Sequence, residues 1–170
     1  PSARATRWRF FPLSRAARPM IKVQTDDFDV GAELAALSRG RTEVGAVASF
    51  IGLVRDVAGP GELSAMTLEH YPGMTERQLA QLEAEALARW PLDKVLIIHR
   101  HGRLLPGDQI VLCAATSSHR EAAFEACAFL MDWLKTRAPF WKLEEVGGES
   151  NWVAARQGDD DAAARWKTDK

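Results

Sequence analysis

The twelve residues 131–142 constrain the fold more than any other stretch; they are Met-Asp-Trp-Leu-Lys-Thr-Arg-Ala-Pro-Phe-Trp-Lys. Pro139 disfavours the helical conformation of the residue before it, so the amphipathic helix that precedes it must end near Arg137. Lys135 then lies in the last turn of that helix, and Lys142 follows in a new direction beside two aromatic residues. The sequence therefore predicts a sharp bend with a lysine on either side.

Apolar patterns along the rest of the chain predict strands and helices in alternation. Alternating or continuous β-branched runs predict strands, whereas apolar residues at helical spacing predict helices. The predicted strands are 21–25, 44–54, 63–71, 94–100 and 109–116, with a last short strand at Trp152 and Val153. The predicted helices are 29–38, 79–90, 118–137 and 160–166. This order, with its hairpins, favours an α+β sandwich over a doubly wound sheet.

Three local features refine this prediction. The run 44–54 is continuous and β-branched, which indicates a buried strand that bends or bulges at Gly52. The sequence Pro-Gly-Asp at 106–108, between two apolar runs, indicates a hairpin turn. Ser118 and Glu121 have the spacing of a capping box, which would begin the long helix that precedes the bend.

The overall charge gives no reason to expect a nucleic acid or an anionic membrane as a partner. The 170-residue chain has a formal net charge of −1, and its longest apolar run falls far short of the roughly 20 residues that a membrane-spanning helix needs. A nucleic-acid surface would need a basic stripe with interleaved aromatic residues. In this chain the clustered lysines and arginines stand instead at the ends of predicted strands and helices.

Residues 1–19 differ from the rest. They contain five arginines and no acidic residue, which leaves residues 20–170 with 17 Lys and Arg against 23 Asp and Glu, a net charge of −6. Such a leader is typical of an organelle-targeting peptide, and it is equally compatible with upstream sequence ahead of a start at Met20. We expect the second, a disordered or upstream segment at 1–19, followed by a single domain over 20–170.

The two cysteines, Cys113 and Cys127, lie on the apolar faces of a predicted strand and a predicted helix. They have neither the number nor the spacing of a disulfide framework or a zinc motif. Reactive cysteines need an exposed, electropositive site, so we expect buried structural thiols rather than sulfur carriers. A reducing cytoplasm fits such thiols best, and we expect a cytoplasmic protein.

His99 and His101 are two residues apart on a predicted strand, so their side chains would share a face and could bind a metal ion. The sequence offers no third ligand at a matching spacing. We therefore expect these histidines to pack against the sheet and to make a hydrogen bond near the hairpin, and we expect neither a metal nor a cofactor.

The basic residues stand at the ends of predicted elements. A cation in the first turn of a helix opposes the helix dipole, which is understandable where an anion binds the free backbone N–H groups. Taken singly, each is ordinarily a solvated charge or a complement to the dipole at a helix C-terminus. Together they predict a pocket for a phosphate or carboxylate, in which a lysine can act as acid, base or nucleophile. The residues are Arg55, His119, Arg120, Lys135, Arg137, Lys142 and Arg156.

Strings of residues along the chain resemble the family of large, catalytic subunits of molybdopterin synthase. The most specific string is Lys-Thr-Arg-Ala-Pro-Phe-Trp-Lys at 135–142; the others are specific only as an ordered set that spans residues 21–166. They are Gly-Ala-Val-Ala-Ser-Phe-Ile-Gly-Leu-Val-Arg at 45–55, Leu-Glu-His-Tyr-Pro-Gly-Met-Thr at 68–75, Ile-His-Arg at 98–100, Pro-Gly-Asp at 106–108, Ser-His-Arg at 118–120 and Trp-Val-Ala-Ala-Arg at 152–156.

This resemblance implies a sulfur transferase. A small ubiquitin-like carrier subunit would thread its C-terminal Gly-Gly thiocarboxylate into the pocket. Its sulfur would pass, in two rounds, to cyclic pyranopterin monophosphate, which would become molybdopterin as the cyclic phosphate opens and the dithiolene forms. The resemblance also implies a homodimer with one carrier at each end, hence a heterotetramer. The implied fold is a hammerhead-like sandwich of an antiparallel or mixed sheet with helices, plus a small β subdomain.

The resemblance further implies roles for individual residues. Lys135 would meet the carrier's terminal glycine as acid/base or transient amine acceptor, and Lys142 would hold and protonate the substrate. His119 and Arg120 would bind the phosphate and pterin groups, with Arg156 as a further anion contact. The implied site also includes Arg55 with its neighbours Leu53 and Val54, the wall residues Phe50 and Met131, and the backbone of Leu143 and Glu144.

The alternative hypothesis is a non-catalytic scaffold that holds a phosphorylated ligand with the same cations. It predicts ligand binding without turnover, and no affinity for a free Gly-Gly carboxyl tail. The chain departs from residues common in the family at Leu53, Leu143, Ala154 and the loop 56–61, all at the edge of the implied site.

Overall fold

The structure, a computed structural model, describes residues 20–56, 62–153, 161 and 163–167. Within these ranges the chain forms two four-stranded sheets and three principal helices. The strands are β1 (Ile21–Gln24), β2 (Ala46–Leu53), β3 (Leu63–His70), β4 (Leu92–Arg100), β5 (Gly102–Leu104), β6 (Gln109–Ser117), β7 (Phe140–Val146) and β8 (Glu149–Val153). The helices are α1 (Val30–Ser38), α2 (Met74–Arg89) and α3 (Arg120–Thr136).

The first sheet, sheet A, has the strand order β1-β4-β6-β2 and is covered by helices on both faces. β1 runs parallel to β4, and the other pairs are antiparallel. Val95 and Ile97 of β4 pack in the cluster that includes α2 and α3, whereas Leu96 and Ile98 pack in the cluster under α1. Alternate residues therefore serve opposite cores, which is why this strand is continuously apolar.

The second sheet, sheet B, is antiparallel in the order β5-β3-β7-β8. A separate apolar cluster joins it to the end of β2; its buried members are Val54, Leu63, Met66, Leu68 and Leu104. The α+β class and the small β subdomain expected from the sequence are both confirmed.

Helix α3 ends where Pro139 predicts. Its C-cap is Arg137, whose backbone N–H donates to the carbonyl oxygen of Trp133 at 2.8 Å. The apolar face of α3 lies in the core, since Ala123, Cys127, Leu130 and Leu134 are buried and Met131 is partly buried. The chain then bends and enters β7, which carries Lys142 into sheet B.

The prediction that residues 44–54 form a buried strand is wrong in one respect. Strand β2 lies at the edge of sheet A, and Val47, Ile51 and Leu53 are 40%, 37% and 55% exposed. An apolar run fits a strand covered on both faces, but α1 packs against β4 and β6 and leaves this face of β2 open. The expected irregularity at Gly52 is confirmed by a shift in pairing between Gly52 and Leu53.

The capping box predicted at Ser118 and Glu121 does not form. The N-cap of α3 is His119, which makes no capping bond with its side chain. The hydroxyl of Ser117 accepts from the His119 N–H at 3.1 Å and donates to the Pro91 carbonyl at 2.8 Å. The serine that bonds a backbone N–H at the start of α3 is therefore Ser117, one residue before the predicted Ser118, and its contact with Pro91 holds it there.

The turn at 106–108 forms, but it joins different strands from those expected. Gly107 has φ of 90°, and the Asp108 N–H donates to the Leu105 carbonyl at 2.9 Å. Proline followed by a glycine with positive φ is the arrangement of a type II turn. β4 and β6 pair antiparallel, yet the chain between them first crosses to sheet B as β5, so the turn leads from β5 into β6.

Trp166, near the end of the described residues, packs against α2 and α3. Residues 163 and 164 are helical and continue into a 3-10 helix at Arg165–Lys167. The indole N–H of Trp166 donates to the Asp132 carboxylate at 2.7 Å, and its ring packs edge-on against Trp90 and Phe129. The predicted last strand is confirmed as β8. The predicted leader, 1–19, lies outside the described residues.

No helix among the described residues combines the length and apolar character that crossing a membrane requires.

The close approach of Gly45 to the start of α3 yields a stability prediction. A Cβ built at Gly45 would overlap the backbone carbonyl of Ser118, and backbone cannot move aside as a flexible side chain can. We expect Gly45→Ala to lower the free energy of unfolding by roughly 1–3 kcal/mol, measured by urea denaturation.

Gly31→Ala in α1 is the matched control. Its Cβ would meet only the Asp29 carboxylate, at 3.3 Å, and alanine favours helix, so stability should stay within about 1 kcal/mol of wild type or rise. Equal losses in the two variants would contradict this packing argument.

Candidate active site

A pocket of about 960 Å³ lies where the end of α3, the end of β2 and sheet B meet. Apolar residues from β3 and β6 form part of its wall, and cations come from α3, from β7 and from the segment just after β2. Its lining residues are Phe50, Ile51, Gly52, Leu53, Val54, Arg55, Leu63, Met66, Leu68, His99, Gly107, Ile110, Val111, Met131, Leu134, Lys135, Phe140, Lys142, Glu144 and Val153.

Most of the predicted site residues line this one pocket. They come from three separate parts of the chain: the end of β2, the last turns of α3 and the start of β7. The predicted residues found together are Phe50, Leu53, Val54, Arg55, Met131, Lys135, Lys142 and Glu144.

The two lysines approach the pocket from either side of the bend. Lys135, in the last turn of α3, is exposed and makes no ion pair with another described residue. Lys142 pairs across the sheet with Leu68 of β3 and Val153 of β8. Alternate residues of a strand share a face, so Lys142 and Glu144 point to the same side.

An ion pair distinguishes the two lysines. The Nζ atom of Lys142 lies 2.7 Å from a carboxylate oxygen of Glu144, and both side chains are largely shielded from solvent. The sequence resemblance assigned Glu144 only a backbone role, whereas here its side chain lines the pocket and orients Lys142. The side chain of Leu143 belongs to the opposite face of β7, next to Trp152, so it can contribute only backbone to the pocket.

His119 and Arg120 lie at the other end of α3. Sixteen residues of helix separate His119 from Lys135, which is about 24 Å at 1.5 Å per residue. Both side chains are exposed, and neither lines the pocket of its own chain. Arg156, the remaining predicted anion contact, lies outside the described residues.

His99 is a pocket residue that the sequence reasoning did not place in the site. Its ring stacks on Phe140, with ring centroids 3.7 Å apart and planes inclined by 13°. Nδ1 lies 2.8 Å from the carbonyl oxygen of Arg100 and donates to it. The expected packing and hydrogen bond are confirmed. The Ile-His-Arg string at 98–100 is the sequence signal that includes His99, whereas its two-residue spacing to His101 is typical of a metal site and not of a pocket wall.

Burial keeps His99 uncharged. The pKa of His99 is lowered to about 4, chiefly by burial and also by the nearby His101 and His70, whereas the hydrogen bond with Arg100 opposes the shift. The pocket thus contains a neutral aromatic ring among its cations. Within the described ranges, no three His, Cys, Asp or Glu side chains are grouped to hold a metal ion.

The cysteines take no part in this pocket. Cys113 and Cys127 are both buried and unpaired. Burial raises the pKa of Cys127 to about 11 and raises that of Cys113 well above its usual value. The expectation of buried structural thiols is confirmed, and neither thiol has the exposed, ionised character of a sulfur carrier.

Residues 23–137 match the model of the family described as MoaE protein. This span runs from the second half of β1 to the end of α3 and includes Lys135. The chain belongs to the MoaE family. The sequence resemblance to catalytic subunits of molybdopterin synthase is thereby confirmed.

Similar proteins extend the match over most of the chain. The molybdopterin synthase catalytic subunit of Mesorhizobium japonicum is 54% identical over 158 residues, covering 92% of this chain and 98% of its own. A molybdopterin biosynthesis MoaE protein structure from Burkholderia ambifaria is 53% identical, with a TM-score of 0.76 over 89% of this chain and 100% of its own. Molybdopterin synthase from Staphylococcus aureus has 28% identity and a TM-score of 0.75, covering 81% and 98%.

The depressed pKa of His99 predicts a pH-dependent stability. An unfolded histidine binds a proton near pH 6.5, but the folded chain resists it down to about pH 4. The stabilisation of the neutral form is therefore complete above pH 6.5 and is lost as the pH falls towards 4, by about 3 kcal/mol in total.

We expect the unfolding free energy of wild type, measured by denaturation from pH 8 to 4, to fall more steeply below pH 6.5 than that of His99→Phe. The phenylalanine keeps an aromatic ring but cannot titrate. Parallel pH curves for the two proteins would show that His99 is not the titrating group.

Proposed function

We propose that this chain is the catalytic subunit of a molybdopterin synthase. It transfers sulfur from the C-terminal thiocarboxylate of a small ubiquitin-like carrier to cyclic pyranopterin monophosphate. The observation that carries the proposal is the convergence on one pocket of Arg55, which follows β2, with Lys135 and Lys142 from the two sides of the bend after α3, in a chain of the MoaE family. The carrier is the second component of this enzyme.

The pocket suits the two anionic reactants. Three cations and one carboxylate leave it with an excess of positive charge, which favours a cyclic phosphate and a thiocarboxylate. Its apolar side, which includes Met66, Leu68 and Ile110, can pack against a flat pterin ring or an extended peptide tail. Two terminal glycines have no side chains and so could reach deep into such a space.

Each round of the reaction moves one sulfur atom. The bond between sulfur and the carrier's acyl carbon breaks, water takes up the acyl group, and the carrier leaves as a carboxylate. Sulfur bonds to a substrate carbon that loses a carbon–oxygen bond: in one round this oxygen stays on the phosphate as the cyclic phosphate opens, and in the other it leaves as water. Lys135, which has no fixed acidic partner among the described residues, acts on the acyl group as acid/base or transient amine acceptor. Lys142, oriented by Glu144, holds the substrate and donates a proton to it.

A second copy of the chain completes the site. The start of β2 adjoins the start of α3, since the Gly45 N–H donates to the Ser117 carbonyl at 3.0 Å. The end of β2, by contrast, lines the pocket at Arg55. If two copies pair along this open, apolar edge about a two-fold axis, the strands run antiparallel and the start of one lies beside the end of the other. His119 and Arg120 of each copy then approach the pocket of the other.

This dimer explains why β2 exposes apolar residues and why His119 and Arg120 lie far from the pocket of their own chain. It covers the exposed apolar residues of β2, and it supplies the helix N-terminus that phosphate binding favours. Arg156 remains a proposed anion contact, and Phe50, Leu53, Val54 and Met131 are proposed walls. With one carrier at each pocket the assembly is a heterotetramer. We also place the enzyme in the cytoplasm, which is compatible with its two free buried thiols.

The lysines provide the direct test of the proposed reaction. Molybdopterin formation is measured after mixing the protein with thiocarboxylated carrier and cyclic pyranopterin monophosphate. We expect Lys135→Ala to lower the rate by about 100-fold or more and Lys142→Ala by roughly 10–100-fold, because each removes a group that acts on the reacting atoms.

Lys94→Ala is the matched control, since Lys94 lies near the start of β4, away from the pocket, and should leave the rate unchanged. An undiminished rate for Lys135→Ala would refute its assigned role. Binding of the phosphorylated compound without any turnover by wild type would support a scaffold instead of an enzyme.

The dimeric site predicts that two inactive variants restore each other. In a Lys135→Ala/Arg120→Ala heterodimer, one pocket combines the intact Lys135 and intact Arg120, and the other carries both defects. Random exchange of equal amounts should recover about a quarter of wild-type activity, because half the dimers are mixed and each has one intact site. No recovery after subunit exchange, verified with tagged copies, would mean that both residues serve the same chain's pocket.

A further inference from the structure

The ring of His99 lies where the two sheets and the bend between the lysines meet. His99 belongs to β4 of sheet A, whereas Phe140 is the first residue of β7 in sheet B and pairs there with His70. The stack of His99 on Phe140 is therefore a direct side-chain contact between the sheets at the wall of the pocket.

Phe140 fixes the direction in which the chain leaves the bend. Its N–H donates to the Ala138 carbonyl at 2.8 Å, which closes a three-residue turn centred on Pro139. The proline ring holds φ near the value that such a turn needs. Lys142 follows two residues later, so a rotation of Phe140 would displace Lys142 relative to Lys135 at the end of α3.

His99 is held firmly enough to act as a reference point. It is only 8% exposed, and Nδ1 is bonded to the Arg100 carbonyl. The Arg100 side chain is bonded in turn to the carbonyl oxygens of Thr25 and Gln109, each at 3.0 Å. The end of β4 is thus tied to two neighbouring strands.

We propose that His99 is a positioning residue for the sulfur transfer: its stack on Phe140 sets the separation of Lys135 and Lys142 across the pocket. The inference rests on the proposed function, because the spacing of the lysines matters only if they act on two reactants together. His99 works through Phe140 and need not touch the substrate.

The expected consequence is a loss of rate without a loss of substrate affinity. A displacement of about 1 Å in a catalytic group can lower the rate by about 100-fold, since the reacting groups no longer align. Arg55, two residues past the end of β2, does not depend on the bend and continues to attract the phosphate. An ordinary structural defect would instead reduce the amount of active protein and leave no dependence on an aromatic ring at this position.

The experiment compares His99→Phe, which keeps a ring for stacking, with His99→Gln, which keeps polar atoms but no ring. Turnover is measured with the complete system of carrier and cyclic pyranopterin monophosphate, and the folded fraction by circular dichroism. We expect His99→Gln to lower kcat by roughly 10–100-fold with KM for the pterin within about 3-fold, and His99→Phe to stay within about 3-fold of wild type. A loss in His99→Phe as large as in His99→Gln would overturn the proposal, as would full activity in His99→Gln.

A double-mutant cycle with Phe140→Leu tests the pathway of the effect. Phe140→Leu alone should lower kcat as His99→Gln does, and His99→Gln should add little in its background, because the stack is already lost. If the double variant instead loses kcat by the product of the two separate fold-losses, His99 does not act through Phe140.

If His99→Gln fails to fold, Phe140→Leu decides the question by itself: its kcat must fall while its KM stays unchanged. Wild type that makes no molybdopterin would refute the proposed function, whereas active wild type without rescue by His99→Phe refutes only the positioning role.

Discussion

The burial of β4 and β6 on both faces is the constraint on which the rest of the structure depends. These strands form the centre of sheet A, with α2 and α3 on one side and α1 on the other. β6 ends at Ser117, and α3 must run back across it to cover its apolar face. The C-terminus of α3 consequently returns to the edge where β6 begins and β4 ends. The pocket lies at that edge, so the position of Lys135 follows from how the core is covered.

Sheet B turns this edge into a pocket. An apolar cluster of its own joins it to the end of β2. The chain that leaves α3 enters it as β7. Pro139 therefore does more than stop a helix, because it directs the chain from one sheet to the other and brings a second lysine back towards the first. The contact between His99 and Phe140 joins the sheets at the same place. Packing and site geometry thus depend on a single junction.

The pocket carries more positive than negative charge. Glu144 neutralises Lys142, but the described residues offer Lys135 no such partner, and the neutral ring of His99 adds no further charge. A pocket with spare positive charge is suited to anionic reactants and is incomplete without them. The open edge of β2 likewise favours a second subunit, because an exposed apolar edge strand can pair with a strand of another chain.

The sequence by itself determined the three helices, six of the eight described strands, the end of α3 at Pro139, the bulge at Gly52 and eight of the residues that line the pocket; β5 and β7 were not among the predicted strands. These follow from local physics, namely proline's fixed φ, the spacing of apolar side chains and a specific string of residues. The tertiary structure alone decided which apolar strand is an edge, since a continuous apolar run looks the same whether one face or both are covered. It also placed His119 and Arg120 about 24 Å from Lys135, because a helix separates its own ends. Likewise, only the packing of two sheets revealed His99 as the support of Phe140, a contact between residues 41 positions apart that no local pattern encodes.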